Sequence, residues 1–316
     1  MSQRFFVKPT FPLAIRWMVV AMVFLACSQA SLPSSVIAAE GNDSVIKNVF
    51  IILMENHNWS QIRGSSQAPY INNVLLPSGS HAEQYYNPRR IHPSLPNYLW
   101  LEAGDNFGIL DDRLPSINHQ STTDHLVTYF DNAGFTWKSY QEDITGDVCP
   151  LINYRQYVPK HNPMVYFDDV TDINDPNSEY CIAHVRPYEE LAVDLESGAA
   201  ASYNFITPNE CHDMHSCSIR EGDTWLSNEV PKILNSQVFQ DSGALFITWD
   251  EGVLFSDGPI GMIVLSPFAR GNGYSNSIGY THSSTLRTMQ EIFGLTPFLR
   301  DAENATSLSD LFAVYP

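Results

Sequence analysis

Two apolar runs constrain this chain more than any other feature: Asn48-Val49-Phe50-Ile51-Ile52-Leu53 and Gly243-Ala244-Leu245-Phe246-Ile247. Both read as strands, and both end in adjacent oxygen-bearing side chains. The first leads into Met54-Glu55-Asn56, the second into Thr248-Trp249-Asp250-Glu251. Ligands of open α/β sheets gather beyond the carboxyl ends of strands, so the two acidic endings are expected to share one site. Three carboxylates held together repel one another and keep a proton unless a cation lies between them. Glu55, Asn56, Asp250 and Glu251 offer only oxygen. That suits Ca²⁺, Mg²⁺ or Mn²⁺ better than Zn²⁺, although a nearby histidine would shift the choice. Taken singly, each motif is equally well read as an acidic loop that ends a strand.

The rest of the chain alternates strand with helix. Helices are expected over 94–103, 123–132, 223–234 and 283–293, with another opened by Pro187 and carrying Glu189 and Glu190 in its first turn. Strands are expected over 136–140, 202–206, 244–249 and 260–265. This alternation implies a layered α/β/α sandwich. One large domain over 40–316 is expected, with a disulfide-tied insertion or cap at about 146–182. That segment is rich in Pro, Asn, Asp and Tyr and breaks the rhythm.

Residues 1–39 read as a secretory signal peptide: Arg4, Lys8 and Arg16 precede an apolar run, Trp17 to Cys27, and Ala38-Ala39 offers the preferred cleavage site. The protein is therefore expected to be secreted or periplasmic. No stable membrane anchor is expected after cleavage, because the run is short for a span. Losing three basic residues and no acidic one takes the net charge from −18 to −21. Such a surface argues against nucleic acid as a partner, so a phosphate site must be locally positive. Four cysteines remain, Cys149, Cys181, Cys211 and Cys217, and an even count in an exported chain favours two disulfides. Three pairings are open, among them Cys211–Cys217 across a tight loop and Cys149–Cys181 across a wider one.

Four segments carry polar chemistry and can converge: Glu55-Asn56-His57, His92 to Asn97, Thr207 to His215, and Asp250-Glu251 with Tyr280-Thr281-His282. Ser94, before Leu95-Pro96, suits a helix N-cap. The same position brings a hydroxyl to free N–H groups, where phosphate binds and an alkoxide is stabilised. No G-x-S-x-G elbow occurs, which directs a nucleophilic serine towards metal-assisted phosphoryl chemistry. His212 and His215 would balance phosphoryl charge as imidazolium donors, which implies an acid optimum. His282 would serve as a phosphate donor or as general acid for the leaving group.

These segments together resemble the phosphoesterase family of bacterial acid phosphatases and phospholipases C, which has the alkaline-phosphatase-like fold. The matching pieces are Ile51 to Asn56, His92 to Tyr98, Lys160-His161-Asn162-Pro163, Thr207-Pro208-Asn209 with His212 to His215, Thr248 to Glu251, and Ser266-Pro267 with His282-Ser283-Ser284. They run in order from about residue 46 to 295. The resemblance implies a divalent metal ion held by Glu55, Asn56, Asp250 and Glu251, with Ser94 as nucleophile bridging metal and substrate. It makes Asn56 and Asn97 substrate-binding candidates, with His212, His215 and His282 in catalytic roles. A sulfatase of this fold would carry arginine where Tyr98 stands. The chain stops at Pro316, and only Arg4 stands near its start, which points to the compact phosphatase branch. The expected function is hydrolysis of a small phosphate monoester. The alternatives are a phospholipase C-type phosphodiesterase and a secreted binding protein stabilised by calcium.

Overall fold

A computed structural model describes residues 37–38 and 44–315. The expected signal peptide therefore lies outside the described residues, apart from Ile37–Ala38, which pairs antiparallel with Leu295–Thr296. Eight strands build the main sheet: β1 Asn48–Met54, β2 Ser80–Tyr86, β3 Trp137–Gln141, β4 Val185–Pro187, β5 Tyr203–Thr207, β6 Gly243–Trp249, β7 Met262–Leu265 and β8 Tyr274–Thr281. Their order is β4-β3-β5-β1-β6-β7-β2-β8. All neighbours are parallel except β7, which runs antiparallel to β6 and β2.

The two apolar runs are the adjacent central strands β1 and β6. Val49 to Met54 and all of β6 are buried. Strands covered on both faces read as continuous apolar runs and not as alternation. Their register sets Leu53 opposite Thr248 and Met54 opposite Trp249, so Glu55 and Asp250 leave the sheet side by side. The Asp250 amide donates to the Met54 carbonyl at 3.0 Å and holds that level.

Six helices matter for the layers: α1 Ser94–Ala103, α2 Leu126–Asn132, α3 Glu190–Ser197, α4 Ile219–Leu234, α5 Gln237–Ser242 and α6 His282–Phe293. They pack as two groups flanking the sheet, α1 with α2 and α6, and α5 with α3 and α4. In α6, Leu286, Met289 and Phe293 recur at helical spacing and are buried, while a capping box between Thr281 and Ser284 starts the helix. Helix α1 stops at Gly104, whose φ is +71°. A Cβ there would stand 2.9 Å from the Leu299 carbonyl oxygen, so the position requires glycine. No helix among the described residues is long and apolar enough to cross a membrane.

The layered α/β expectation holds, and the expected strands and helices recur with end shifts of a few residues. Three strands of the main sheet were not anticipated: β2, β4 and β8. β8 lies at a sheet edge with a single buried residue, Tyr280, and β2 buries polar His81. Neither carries an apolar run. The disulfides are Cys149–Cys181 and Cys211–Cys217. The 146–182 segment is more than a cover, because Met164, Val165, Tyr166, Phe167 and Val170 join the main core. Replacing Cys149 and Cys181 with serine together is expected to cost about 3–4 kcal/mol by loop entropy. Denaturant titration would measure this. A loss below about 1 kcal/mol would mean that the core contacts alone hold the segment.

Candidate active site

Glu55 is fully buried and forms the hub. Its Oε2 accepts a 3.0 Å hydrogen bond from the Ser94 hydroxyl, and its Oε1 accepts one of 2.6 Å from Tyr98. Ser94 and Tyr98 lie one turn apart on α1, so a single helix face presents both to the acid. The Asn56 amide donates to Asp250 Oδ1 at 3.0 Å, and the Glu55 amide donates to the Asp213 carbonyl at 2.8 Å. His161 stacks on Tyr98 with rings 5.2 Å apart and stands 3.1 Å from Glu55 and 3.2 Å from Asp213. Neither carboxylate contact has hydrogen-bond geometry. His161 Nε2, Asp213 Oδ2, Asp250 Oδ2, Asn56 Oδ1 and Asn97 Oδ1 are all buried without a hydrogen-bond partner.

That concentration of orphaned buried acceptors is costly in a protein alone and fits a cation among them. The acid groups respond accordingly. Burial, then the charges of Asp250 and Asp213, pushes Glu55 well above the carboxylate range. Burial pushes Asp250 up to about 6, and burial with the Asp250 charge pushes Glu251 up to about 9. Asp213 is also raised well above its ordinary value, chiefly by burial. Among the described residues, Glu55, His161 and Asp213 form the group of His, Cys, Asp or Glu side chains that can each bring one ligand atom to within 4.8 Å of the others.

Glu251 lies in an adjoining net. Its Oε1 accepts from Asn56 Nδ2 at 3.1 Å, and its Oε2 accepts from Asn97 Nδ2 at 3.3 Å and pairs with His92 Nδ1. Asn97 also donates to the Ile91 and Pro93 carbonyls, so it ties the start of α1 to Glu251. Ser94 does not cap its helix. Pro93 holds the cap position, and the Ser94 hydroxyl turns to Glu55 instead. The next amide, Leu95, is taken by Asp112 at 3.0 Å and is not free to hold phosphate.

The histidines divide. His215 Nε2 stands 3.4 Å from Lys160 Nζ, and the His215 ring faces that of His161 at 5.7 Å. Burial lowers the His215 pKa, and the Lys160 charge lowers it further. His212 turns away, pairing with Glu142 at 2.8 Å beside Trp225, and that pairing raises its pKa. His282 is fully buried. One ring nitrogen stands 2.6 Å from the Asp250 carbonyl and the other 3.1 Å from the Tyr85 hydroxyl, and burial pushes its pKa down to about 4. These contacts hold the backbone of Asp250 and leave neither nitrogen facing open space. The expected ring of imidazolium donors is thus not what the geometry supplies. The cation of the site is Lys160, kept charged by Glu55, Asp112 and Glu210 against its burial. Lys160, Asp112 and Glu210 line an open hollow of about 790 Å³.

His161, Asp213 and Lys160 were not among the expected site residues, although both segments that carry them had been singled out. Nothing in the order His212-Asp213-Met214-His215 ranks the aspartate above the histidines beside it. Folding ranks it, by burying Asp213 under Glu55.

The chain is similar to known proteins along most of its length. A phosphatidylinositol-3-phosphatase of Mycobacterium tuberculosis is 29% identical over 295 residues, which is 93% of this chain and 92% of the relative. A probable acid phosphatase of Kluyveromyces lactis is 29% identical over 72% of this chain, which spans about half (52%) of that protein. Among solved structures, an alkaline phosphatase superfamily protein from Vibrio parahaemolyticus superposes with a TM-score of 0.57 at 9% identity, covering 84% of this chain and 72% of that one. The phosphoesterase family model matches residues 78–296, which include α1, the acid-bearing strand end at Asp250-Glu251 and all of α6. The chain belongs to the phosphoesterase family.

Proposed function

We propose that this protein is a divalent-metal-dependent phosphomonoesterase of acid phosphatase type, secreted or periplasmic, that works through Ser94. The observation that carries this reading is the buried hydroxyl of Ser94 donating to Glu55 within a cluster of carboxyl groups that cannot all ionise without a cation. Residues 40–316 act as one catalytic domain, with the 146–182 insertion supplying Lys160 and His161 to its site.

Glu55, Asp250, Asp213 and His161 would hold the cation, with Ser94 Oγ and Asn56 Oδ1 at its margin. Glu251, held by Asn56, Asn97 and His92, orients Asn56. The imidazole of His161 moves the donor set from pure oxygen towards Mn²⁺ or Zn²⁺. A bound divalent cation lowers the pKa of a nearby hydroxyl and polarises phosphoryl oxygens. Ser94 gives its proton to Glu55 Oε2 and its Oγ bonds to phosphorus while the bond from phosphorus to the ester oxygen breaks, the leaving oxygen taking a proton from solvent water. Water then attacks phosphorus, the bond to Ser94 Oγ breaks, Glu55 returns the proton to that oxygen, and phosphate leaves. Lys160 draws phosphate oxygens towards the hollow that it lines, supplying local positive charge on a strongly acidic protein, and His215 beside it adds charge only at acid pH, where its lowered pKa lets it be protonated. His282 positions Asp250 by holding its carbonyl.

The test is hydrolysis of a chromogenic aryl phosphate by the mature protein across pH, with chelator and with added Mg²⁺, Mn²⁺, Ca²⁺ or Zn²⁺. Chelator-sensitive turnover is expected, with an optimum below the ordinary imidazole range, because the His215 pKa is lowered. A rate that climbs steadily to alkaline pH would remove the acid phosphatase assignment. Turnover of diesters alone would move the reading to a phosphodiesterase.

A further inference from the structure

A second hollow, of about 460 Å³, opens in the 146–182 segment and its surroundings, and no charged side chain lines it. Val148, Pro150, Leu151 and Tyr154 form much of its wall. Ser116 and Ile152 line both this hollow and the polar one that contains Lys160 and Asp112. The two hollows are therefore neighbours that share part of their wall. Asp112, which lines the polar hollow, accepts from the amide that follows Ser94, so that hollow lies next to the start of α1.

The wall is apolar yet wet. Ile152 is 66% exposed, Val148 45% and Tyr154 44%, and Ile117, which lines the neighbouring polar hollow, is 58% exposed. Scattered exposed apolar residues need no explanation, but several gathered around a concave space beside a reaction centre mark a binding surface. Cys149, buried and bridged to Cys181, pins one side, so the hollow exists before anything enters it. A charged substituent would find no countercharge there, whereas an apolar one would lose its contact with water.

We infer that this hollow is the subsite for the alcohol portion of the substrate, and that the ester carries an apolar chain or ring. The inference rests on the phosphomonoesterase reading and deepens it, assigning phosphate to the Lys160 end and carbon to the Val148–Tyr154 end. Specificity then lies in the insertion and not in the sheet.

Rates with methyl, butyl, octyl and phenyl phosphate, all kept monomeric, test it on the mature protein. kcat/KM is expected to rise roughly three- to fourfold per added methylene until the hollow is filled. Phenyl phosphate against octyl phosphate separates ring from chain. Val148→Asp and Ile152→Asp are expected to lower the octyl-to-methyl ratio by roughly tenfold or more, and both replace exposed side chains, so folding is preserved. A flat dependence on chain length, or an equal loss for methyl and octyl phosphate in the variants, would overturn the subsite. If no ester is turned over, the phosphatase reading fails by itself. Calorimetric affinities for octyl and methyl phosphate then decide the subsite: a tenfold preference for octyl supports it, and a ratio near one overturns it.

Discussion

Ser94→Ala is expected to lower kcat towards an aryl phosphate by at least about 10⁴-fold while leaving a folded protein. The hydroxyl is buried, donates to Glu55 at 3.0 Å and also acts on the Asp250 carboxylate. Removing it takes away the atom that would form the covalent intermediate, and nothing nearby replaces it, since Tyr98 is committed to the other Glu55 oxygen. The structural cost is one hydrogen bond to an acid, about 1–2 kcal/mol, so Tm should fall by only about 2–8 °C. Steady-state kinetics with a melting curve on the same sample separate the two effects. Activity within tenfold of the parent, at unchanged fold, would remove Ser94 as nucleophile.

The second large effect is a cation response that depends on pH. Without a cation, Asp250 titrates at about 6 and Glu251 at about 9, both above their ordinary values through burial, with the Asp250 charge adding to the Glu251 shift. The folded state thus binds protons more tightly than the unfolded chain. Their contribution to stability is complete below about pH 4 and is lost as pH rises through about 6 to about 9. A divalent cation takes over from those protons. At 100 times its Kd it contributes about 2.7 kcal/mol, or roughly 5–10 °C in Tm. The rise should be nearly full at pH 8 and much smaller at pH 5, where protons compete. Asp250→Asn should flatten both the pH dependence and the cation response. Melting curves with chelator or with Mn²⁺, Mg²⁺, Ca²⁺ and Zn²⁺ at the two pH values measure this. A Tm at pH 8 that ignores chelator and every ion would sink the cation site.

The central sheet was legible because burial on both faces leaves little room for polar side chains: Val49 to Met54 and Ala244 to Trp249 are apolar but for one threonine. The carboxylates were legible because acids directly after such strands fall at the carboxyl edge, where Glu55 and Asp250 emerge in register. β2 and β8 escaped notice because strands that bury little, or bury paired polar groups such as His81 with Glu83, carry no periodic apolar signature. Ser94 was recognisable as the residue opening a helix. Whether its hydroxyl capped that helix or served Glu55 depended on where Glu55 would stand.

By itself the sequence determined the α/β class, the two acidic strand endings, the serine at the start of α1 and the segments that meet at the site, because these follow from local pattern and from how sheets end. Only the tertiary structure decided which groups share a centre and which are spent elsewhere. It put His161 and Asp213 against Glu55, gave His212 to Glu142, and turned His282 onto the Asp250 carbonyl. It also opened an apolar hollow beside the polar one. Those outcomes depend on contacts between residues tens to hundreds of positions apart. The chemistry of a histidine is set by what burial places beside it, and that is not written in its neighbours along the chain.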